Sequence, residues 1–597
     1  MKWPKWLKRK QTVEPRSAPR VVRRPLEPLA TGPDSWTLRN LMTDEQVTLP
    51  AHLGPALAAC QQFKTVEEHA EKNPDHFAPL NALLRQGWLL TEAEVLETLR
   101  QNRGTSEAAP SLDSVAVVTR DRPKTVARCV DSILANRAEH GRTFDVIVVD
   151  DSADPQAVRQ TLAEFDAGDS LRLVDAASRR DFADRLVAAS NGDLDPTLAH
   201  FALVADGSRF AVGVNRNAAM LDAAGVASGS LDDDTFAEFL RSRTAASDRV
   251  SVAADVDPTA MSLYGSLTEV RALGFEAVDL SRVLGERLGA DGASCLGRAS
   301  TPGLAHLNDG TLASLLTGRA YVAVTATGIS GDSGMPTAGY YLGLRGASLN
   351  RLAEDEPTYE VLKLTRFVAR AAPELTLSTT DYFMSTAFGL DGRRLLPPFS
   401  PAYRNTDGVF GRTLRMVAPH SMFAHVPWAV RHEPDVVRRN PADSLRTWGT
   451  TLRATDLILA ALSQCAMSAA ADDVSERMRQ LGRGLADLAA RPDFRDAARE
   501  GARAQAEKRI GFLQRGLELT DLQAPWWRAD VEACCEAIEA AVASDTFLDP
   551  TDATLEEVRE HLTTFGRLLE VWPDVFALAQ QLRAQGHRMS APLRQPD

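Results

Sequence analysis

Cysteine is scarce: Cys60, Cys129, Cys295, Cys465, Cys534 and Cys535 are the six thiols in 597 residues, with no C-x-x-C spacing and no ligand-like pairing with histidine. That excludes a disulfide framework and a structural zinc module. No apolar run approaches the ~18 residues that crossing a bilayer needs; Leu457 to Leu462 stops at Ser463 and Gln464. The basic start, M-K-W-P-K-W-L-K-R-K, has no apolar core of a secretory signal, so a cytoplasmic location is expected. A G-x-G-x-x-G fingerprint is missing, which argues against a dinucleotide site. A formal net charge of −13 argues against a general nucleic-acid binder. What is present is ordinary globular composition, 44% hydrophobic and 25% charged, with length for about three or four domains.

The most informative stretch is Gly213 to Asp234, G-V-N-R-N-A-A-M-L-D-A-A-G-V-A-S-G-S-L-D-D-D. Asn215 to Ala224 has the pattern of a short helix with Arg216 near its start. Arginine suits phosphate because its planar fork pairs with two oxygens at once. Asp232, Asp233 and Asp234 repel one another, a cost that a hard divalent ion relieves. The same run also reads as a solvated acidic turn, with Asp232 or Asp234 capping a helix over Thr235 to Arg241.

In chain order, residues 1–34 read as a basic flexible tail in which Trp3, Trp6, Leu7 and the lysines are candidates for peripheral contact with an anionic membrane surface. Residues 35–105 read as a small α+β, winged-helix-like domain: strands over Leu38 to Met42 and Val47 to Leu49, then helical spacing over Leu53 to Phe63, Val66 to Glu71 and Phe77 to Gln86. This domain weakly resembles peptide-recognition domains that accompany peptide-modifying enzymes, which would give it a peptide partner. Arg103 to Asp113 is a polar linker.

Val115 to Val118 is a short apolar run ending at Thr119-Arg120-Asp121-Arg122-Pro123. An amphipathic helix over Thr125 to Ala135 follows, then a second apolar strand, Phe144 to Val149, ending on Asp150-Asp151-Ser152. This is a β-α-β unit, and ligands on such sheets sit at the carboxyl ends of the strands. Asp255 to Thr259 is expected to begin a helix, and residues 325–335, T-A-T-G-I-S-G-D-S-G-M, to form a flexible loop in which Asp332 and Ser333 offer contacts. Pro397, Pro398 and Pro401 lead to Thr406-Asp407, where an amphipathic helix begins. Val426 to His432 reads as a strand, and from Pro441 onward the pattern is helical.

V-A-V-V-T-R-D-R-P-K-T-V-A-R-C-V-D-S-I-L followed by V-I-V-V-D-D-S resembles the opening of family 2 glycosyltransferases of the GT-A fold, and Leu231-Asp232-Asp233-Asp234 resembles their metal motif. The resemblance implies an α/β fold: a GT-A (Rossmann-like) mixed-sheet nucleotide-sugar domain over about 112–436, with an insertion at about 240–390. The winged-helix-like domain would precede it, and a helical bundle over 437–597 would follow. By the same match Thr119, Arg120, Asp121, Asp150 and Asp151 would hold base and ribose, Asp232 the ribose and metal, Asp234 the metal and Arg216 the phosphates. Asp407 would be the general base, although the glutamate that usually precedes it is here Thr406. His432 would be a further metal ligand.

The activity implied is a metal-dependent (Mn2+ or Mg2+) inverting transfer from a nucleotide-sugar donor, a UDP-sugar first, to a glycan, peptide or small-molecule acceptor. The alternative is a non-catalytic nucleotide-sugar-binding scaffold or sensor. A nucleotidyltransferase fits less well, because no glycine-rich, lysine-bearing loop follows the first strand.

Overall fold

The computed structural model describes residues 18–102, 110–204, 212–242, 249–254, 256–335, 337–446, 448, 450, 452–467, 473–518, 524–544 and 547–593. The tail with Trp3, Trp6 and Leu7, and residues 103–109 of the linker, lie outside them. The chain divides into two compact units: Met1–Ser106 with Ser251–Asp255 and Asp291–Ala320, and Glu107–Val250 with Val256–Ala290 and Tyr321–Asp597.

In the first unit, Leu26–Thr31, Ser35–Asn40 and Gln46–Pro50 form an antiparallel meander. Val21–Arg23 pairs with Leu89–Thr91. Two of these strands fall within residues 1–34, which the sequence reads as flexible; Val21 and Leu26 are buried among Leu38, Leu49 and Leu80, and basic composition hid that pairing. The expected helices are Gly54–Ala59, Val66–Ala70 and Phe77–Arg85. Helix Glu92–Gln101, closed at its start by a Thr91/Glu94 capping box, packs against Gly292–Gly297.

The second unit is α/β, built on a large mixed sheet of Rossmann-like order. Ser114–Thr119 and Asp145–Asp150 are parallel neighbours, buried along their length as continuous apolar runs demand. Leu171–Val174 extends the sheet beyond the second, and Ala227–Asp232 lies beside the first, also parallel. The spatial order of the four parallel strands is therefore third, second, first, fourth, and the order reverses between Ser114–Thr119 and Ala227–Asp232. Ligands of open α/β sheets bind at such a point. Helix Pro123–Glu139 follows the first strand with Val126, Cys129, Val130 and Ile133 fully buried.

Beyond the fourth strand the sheet becomes mixed. Ala387–Asp391 runs antiparallel to it and to Tyr321–Asp332, which is parallel to Ser421–His432. Three expectations are corrected here. Thr235–Arg241 is a strand paired with Ser421–His432, not a helix; its buried residues alternate, the period of a strand. The residues after Asp257 form a strand, Ala260–Tyr264, and not a helix.

Residues 325–332 are buried strand rather than flexible loop. Their glycines answer to crowding: a Cβ on Gly328 would meet the Arg370 carbonyl oxygen at 1.8 Å, and Gly331 (φ 123°) has the His432 carbonyl oxygen 2.0 Å from that position. The C-terminal helices Ala454–Gln464, Val474–Ala490 and Leu555–Ala584 belong to the same unit and share one core with the sheet, where Leu457, Leu485 and Trp572 meet Phe388 and Phe410. Trp527 is fully buried in a second apolar cluster with Tyr341 and Tyr359.

Candidate functional site

Thr119, Asp150 and Asp232 are the last residues of three of the parallel strands, and register places Thr119 opposite Asp150 and Val118 opposite Asp232. Carboxylates therefore collect at the carboxyl ends of these strands.

On the side of the second strand, Asp150 is 1% exposed; one carboxylate oxygen accepts from the Ser152 amide at 2.9 Å and its hydroxyl at 2.5 Å. The other oxygen is buried without a protein partner. Burial raises the Asp150 pKa above the ordinary carboxylate value, with the Ser152 bonds opposing. Asp151 accepts from Arg179 at 2.6 Å, and the same fully buried guanidinium donates to Asn215 at 2.6 Å. Asn215 in turn donates to the Thr119 carbonyl at 3.4 Å. Arg120 lies 3.8 Å from Asp151 and 3.7 Å from Asp121. Asp121 has left-handed backbone (φ 56°) and accepts from the Ala153 amide at 2.8 Å, tying the two strand ends together.

The three consecutive aspartates diverge because they occupy the tight connection between strands Ala227–Asp232 and Thr235–Arg241. None caps a helix. Asp232 accepts from Arg216 at 2.9 Å. Asp233 accepts from the Thr119 hydroxyl at 2.7 Å and from Arg122 at 3.0 Å. Asp234 accepts from Arg122 at 3.4 Å and lies 2.9 Å from His432 Nε2, while His432 Nδ1 sits 2.6 Å from the Asp332 carbonyl.

Withdrawal from water pushes Asp232 up to about 6, with Arg216 opposing and Asp234 adding. Burial and then the Asp234 charge push Asp233 up to about 6 as well. Asp234 goes the other way: burial opposes, and the His432 contact prevails to hold it well below the carboxylate range. Its partner His432 is 3% exposed and, against burial, is pushed up to about 9 by Asp234.

Helix Val212–Asp222 places Asn215 and Arg216 on the site. Arg216 is buried; besides Asp232 it donates to the Ser385 carbonyl at 2.9 Å and the Thr406 hydroxyl at 3.4 Å. The Ser385 hydroxyl donates to Asp407 at 3.0 Å. Asp407 lies in the first turn of helix Thr406–Val417 behind Asn405, which occupies the N-cap position with left-handed backbone (φ 58°). The helix packs on the core through Val409, Phe410 and Leu414. Asp407 is thus joined to Asp232 through Ser385 and Arg216.

Asp232 and Asp234 are hard oxygen donors, and the Asp332 carbonyl fixes His432 through Nδ1, so Nε2 faces Asp234. Among the described residues, no cluster of three or more His, Cys, Asp or Glu is gathered in metal-binding geometry; the carboxylates are instead engaged by the internal cations Arg122, Arg216 and His432.

Hydrogen bonds and ion pairs link Thr119, Arg120, Asp121, Asp150, Asp151, Arg216, Asp232, Asp234, Asp407 and His432 into one network. It also holds Arg122, Arg179, Asn215 and Ser385, of which Arg122 and Asn215 stand inside quoted motifs. Asp332, expected on an open loop, is buried and paired with Arg366 at 2.8 Å and Arg438 at 3.1 Å. Comparison with protein-family models and with curated proteins finds no match to the chain. Among the described residues, no helix is long and apolar enough to cross a membrane.

Proposed function

We propose that the second unit is a GT-A-type domain and the protein a metal-dependent inverting glycosyltransferase using a nucleotide-sugar donor. The observation that carries this reading is the connection of Asp407 to Asp232 through Ser385 and Arg216, at the reversal point of the sheet where the carboxylates collect. A candidate base and a candidate diphosphate site are thereby held by one network.

Asp150, with one unpartnered buried oxygen, receives N–H or O–H groups of the base and ribose, and Asp151 is fixed beside it by Arg179. Asp232 and Asp234, with His432 once it has given up its proton, would hold a divalent ion, which would supply neutralisation of charge on the departing diphosphate. Asp407 takes the proton of the acceptor hydroxyl as its oxygen bonds to the anomeric carbon from the face opposite the leaving diphosphate. Arg216 is buried, so its part is to orient Asp232 and the Ser385 carbonyl.

A second reading, a non-catalytic nucleotide-sugar sensor, is favoured by one detail. The residue before Asp407 is Thr406, whose hydroxyl is engaged by Arg216. Donor hydrolysis separates the two, since a sensor binds without turnover. The first test is a thermal-shift panel of UDP-, GDP-, dTDP- and CMP-sugars with and without Mn2+. Stabilisation by one base class, larger with metal, supports a nucleotide-sugar site; no stabilisation by any of them removes it.

A further inference from the structure

A second group of polar residues adjoins Asp407, built from elements other than those that carry the aspartate run. The segment from Asp381 to Ser385 lies along the first turns of helix Thr406–Val417. The Asp381 carbonyl oxygen is 2.1 Å from a Cβ position on Gly411, Asp381 pairs with Arg412 at 3.3 Å, and the Ser385 hydroxyl donates to Asp407 at 3.0 Å. Within this segment Phe383 stacks on Phe423 in the core. Its neighbour Tyr382 turns instead to strand Phe367–Ala371, where the Arg370 guanidinium lies 4.7 Å from its ring centroid. Burial holds the Tyr382 phenol above its ordinary value, with Arg370 opposing and the charges of Asp257 and Asp407 adding. The candidate base is thus within electrostatic reach of Tyr382.

The charges in this group are already matched. The buried Arg370 side chain donates to Asp257 and, at 2.7 Å, to the Thr259 hydroxyl. With Asp407 nearby, an anionic ligand finds no surplus of positive charge. What lacks a partner is neutral. His425, on strand Ser421–His432, is 2% exposed, and its Nε2 is buried with no hydrogen bond; the Tyr340 hydroxyl is buried in the same way. Burial holds His425 below the ordinary histidine range, with Asp257 opposing and Arg370 adding. Burial and then Tyr341 hold the Tyr340 phenol well above its usual value, with Arg370 opposing. A neutral imidazole and a phenol each donate and accept, and such groups are rarely buried unsatisfied. Tyr382 is half-buried and Asp257 is exposed, so the group reaches the surface.

We propose that Tyr382, Tyr340, Arg370 and His425 form the acceptor subsite and that the acceptor is a neutral saccharide. This rests on Asp407 as the base of the proposed function. The C–H face of a sugar ring packs on an aromatic ring, as Tyr382 offers beside Asp407. Sugar hydroxyls both donate and accept, which matches the two unpartnered groups and asks for no net charge. A phosphorylated acceptor would instead meet the carboxylates of Asp257 and Asp407.

The test is saturation-transfer NMR on the full chain with the methyl glycosides of glucose, galactose, mannose and N-acetylglucosamine. Glucose 6-phosphate and a Ser/Thr-containing peptide serve as comparisons. Wild type, Tyr382→Ala, Tyr382→Phe and His425→Gln are measured, with matched melting temperatures as the check of folding, and donor hydrolysis is followed in parallel. At least one neutral glycoside is expected to bind wild type, and more tightly than glucose 6-phosphate. Tyr382→Ala is expected to weaken that binding roughly tenfold, and Tyr382→Phe, which keeps the ring, to stay within about threefold. His425→Gln, close in size to the histidine, is expected to weaken it roughly three- to tenfold.

Binding of no neutral glycoside, or tighter binding of glucose 6-phosphate, overturns the inference whatever the donor site does. Equal glycoside affinity in wild type, Tyr382→Ala and His425→Gln overturns the placement, and peptide binding that Tyr382→Ala weakens overturns the saccharide. Glycoside binding that both variants weaken, in a protein that hydrolyses no nucleotide-sugar, overturns the acceptor role and the proposed function while the saccharide site stands.

Discussion

Asp407 and Arg216 meet on a single residue: the Ser385 hydroxyl donates to the Asp407 carboxylate at 3.0 Å, and the Ser385 carbonyl accepts from Arg216 at 2.9 Å. Residues 22 positions apart through Ser385 and 16 apart through Asp232 are thereby fixed in one constellation. The aspartate in the first turn of a helix late in the chain is thereby linked to the aspartate that ends an early strand.

That link predicts a division of labour. Asp407→Asn keeps the size of the side chain and an oxygen for Ser385 but cannot take a proton. Donor affinity should stay within about twofold of wild type, while donor hydrolysis falls by roughly 10²–10⁴-fold. Calorimetry and nucleoside-diphosphate release measure the two separately; full activity in the variant would show that Asp407 is not the base.

Asp234 and His432 form a buried ion pair at 2.9 Å. His432 is raised to about 9, so its part of the stability is fully present below the unfolded value of about 6.5 and fades as pH rises through about 9. Asp234→Asn should cost roughly 3 kcal/mol at pH 7, by leaving a charged imidazole without its counter-ion. The difference from wild type should shrink by pH 10, as read from denaturant midpoints.

A third prediction concerns His561 on helix Leu555–Ala584, whose Nε2 lies 3.0 Å from the Ser400 hydroxyl and whose ring stacks on Phe565. Burial pushes it down to about 4. A lowered histidine contributes no penalty above about pH 6.5 and destabilises progressively as pH falls toward the folded value. Between pH 7 and pH 4.5 the loss from this residue should be roughly 2–3 kcal/mol, and His561→Gln should remove that share of the acid sensitivity in unfolding curves at the two pH values.

Gly213 is the second residue of the helix that carries Asn215 and Arg216, and a Cβ there would lie 1.9 Å from the Ser400 carbonyl oxygen. Backbone cannot yield as a flexible side chain does. Gly213→Ala should lower stability by about 1–3 kcal/mol and weaken donor binding by displacing Arg216; a melting curve and a donor titration check both effects.

The parallel strands Ser114–Thr119 and Asp145–Asp150 were legible because their central residues are buried on two faces and hence written in Val, Ile and Ala. Ala227–Asp232 was not, since Gly229 faces Leu284 at 2.8 Å from a Cβ position and small residues there dilute the apolar signal. The same crowding at Gly328 and Gly331 made a buried strand read as a loop. Thr235–Arg241 was hidden by the aspartates before it, which imitate a helix cap.

In the site, the carboxylates stood out as clusters of like charge. Arg179 and Ser385 carried no comparable signal, for their importance comes from burial between distant segments. Arg122 was in view beside Arg120; only the geometry separates the arginine that reaches Asp233 from the one near Asp151.

A nucleotide-sugar and a divalent ion are proposed to bind together at the carboxylate cluster. Calorimetric titration of wild type and Asp234→Ala with UDP-sugar, with and without Mn2+, tests it most directly. Binding to wild type should be at least tenfold tighter with Mn2+, about 1.4 kcal/mol, with no metal enhancement in Asp234→Ala. Equal affinity in all four titrations, or no binding of any nucleotide-sugar to wild type, would contradict it.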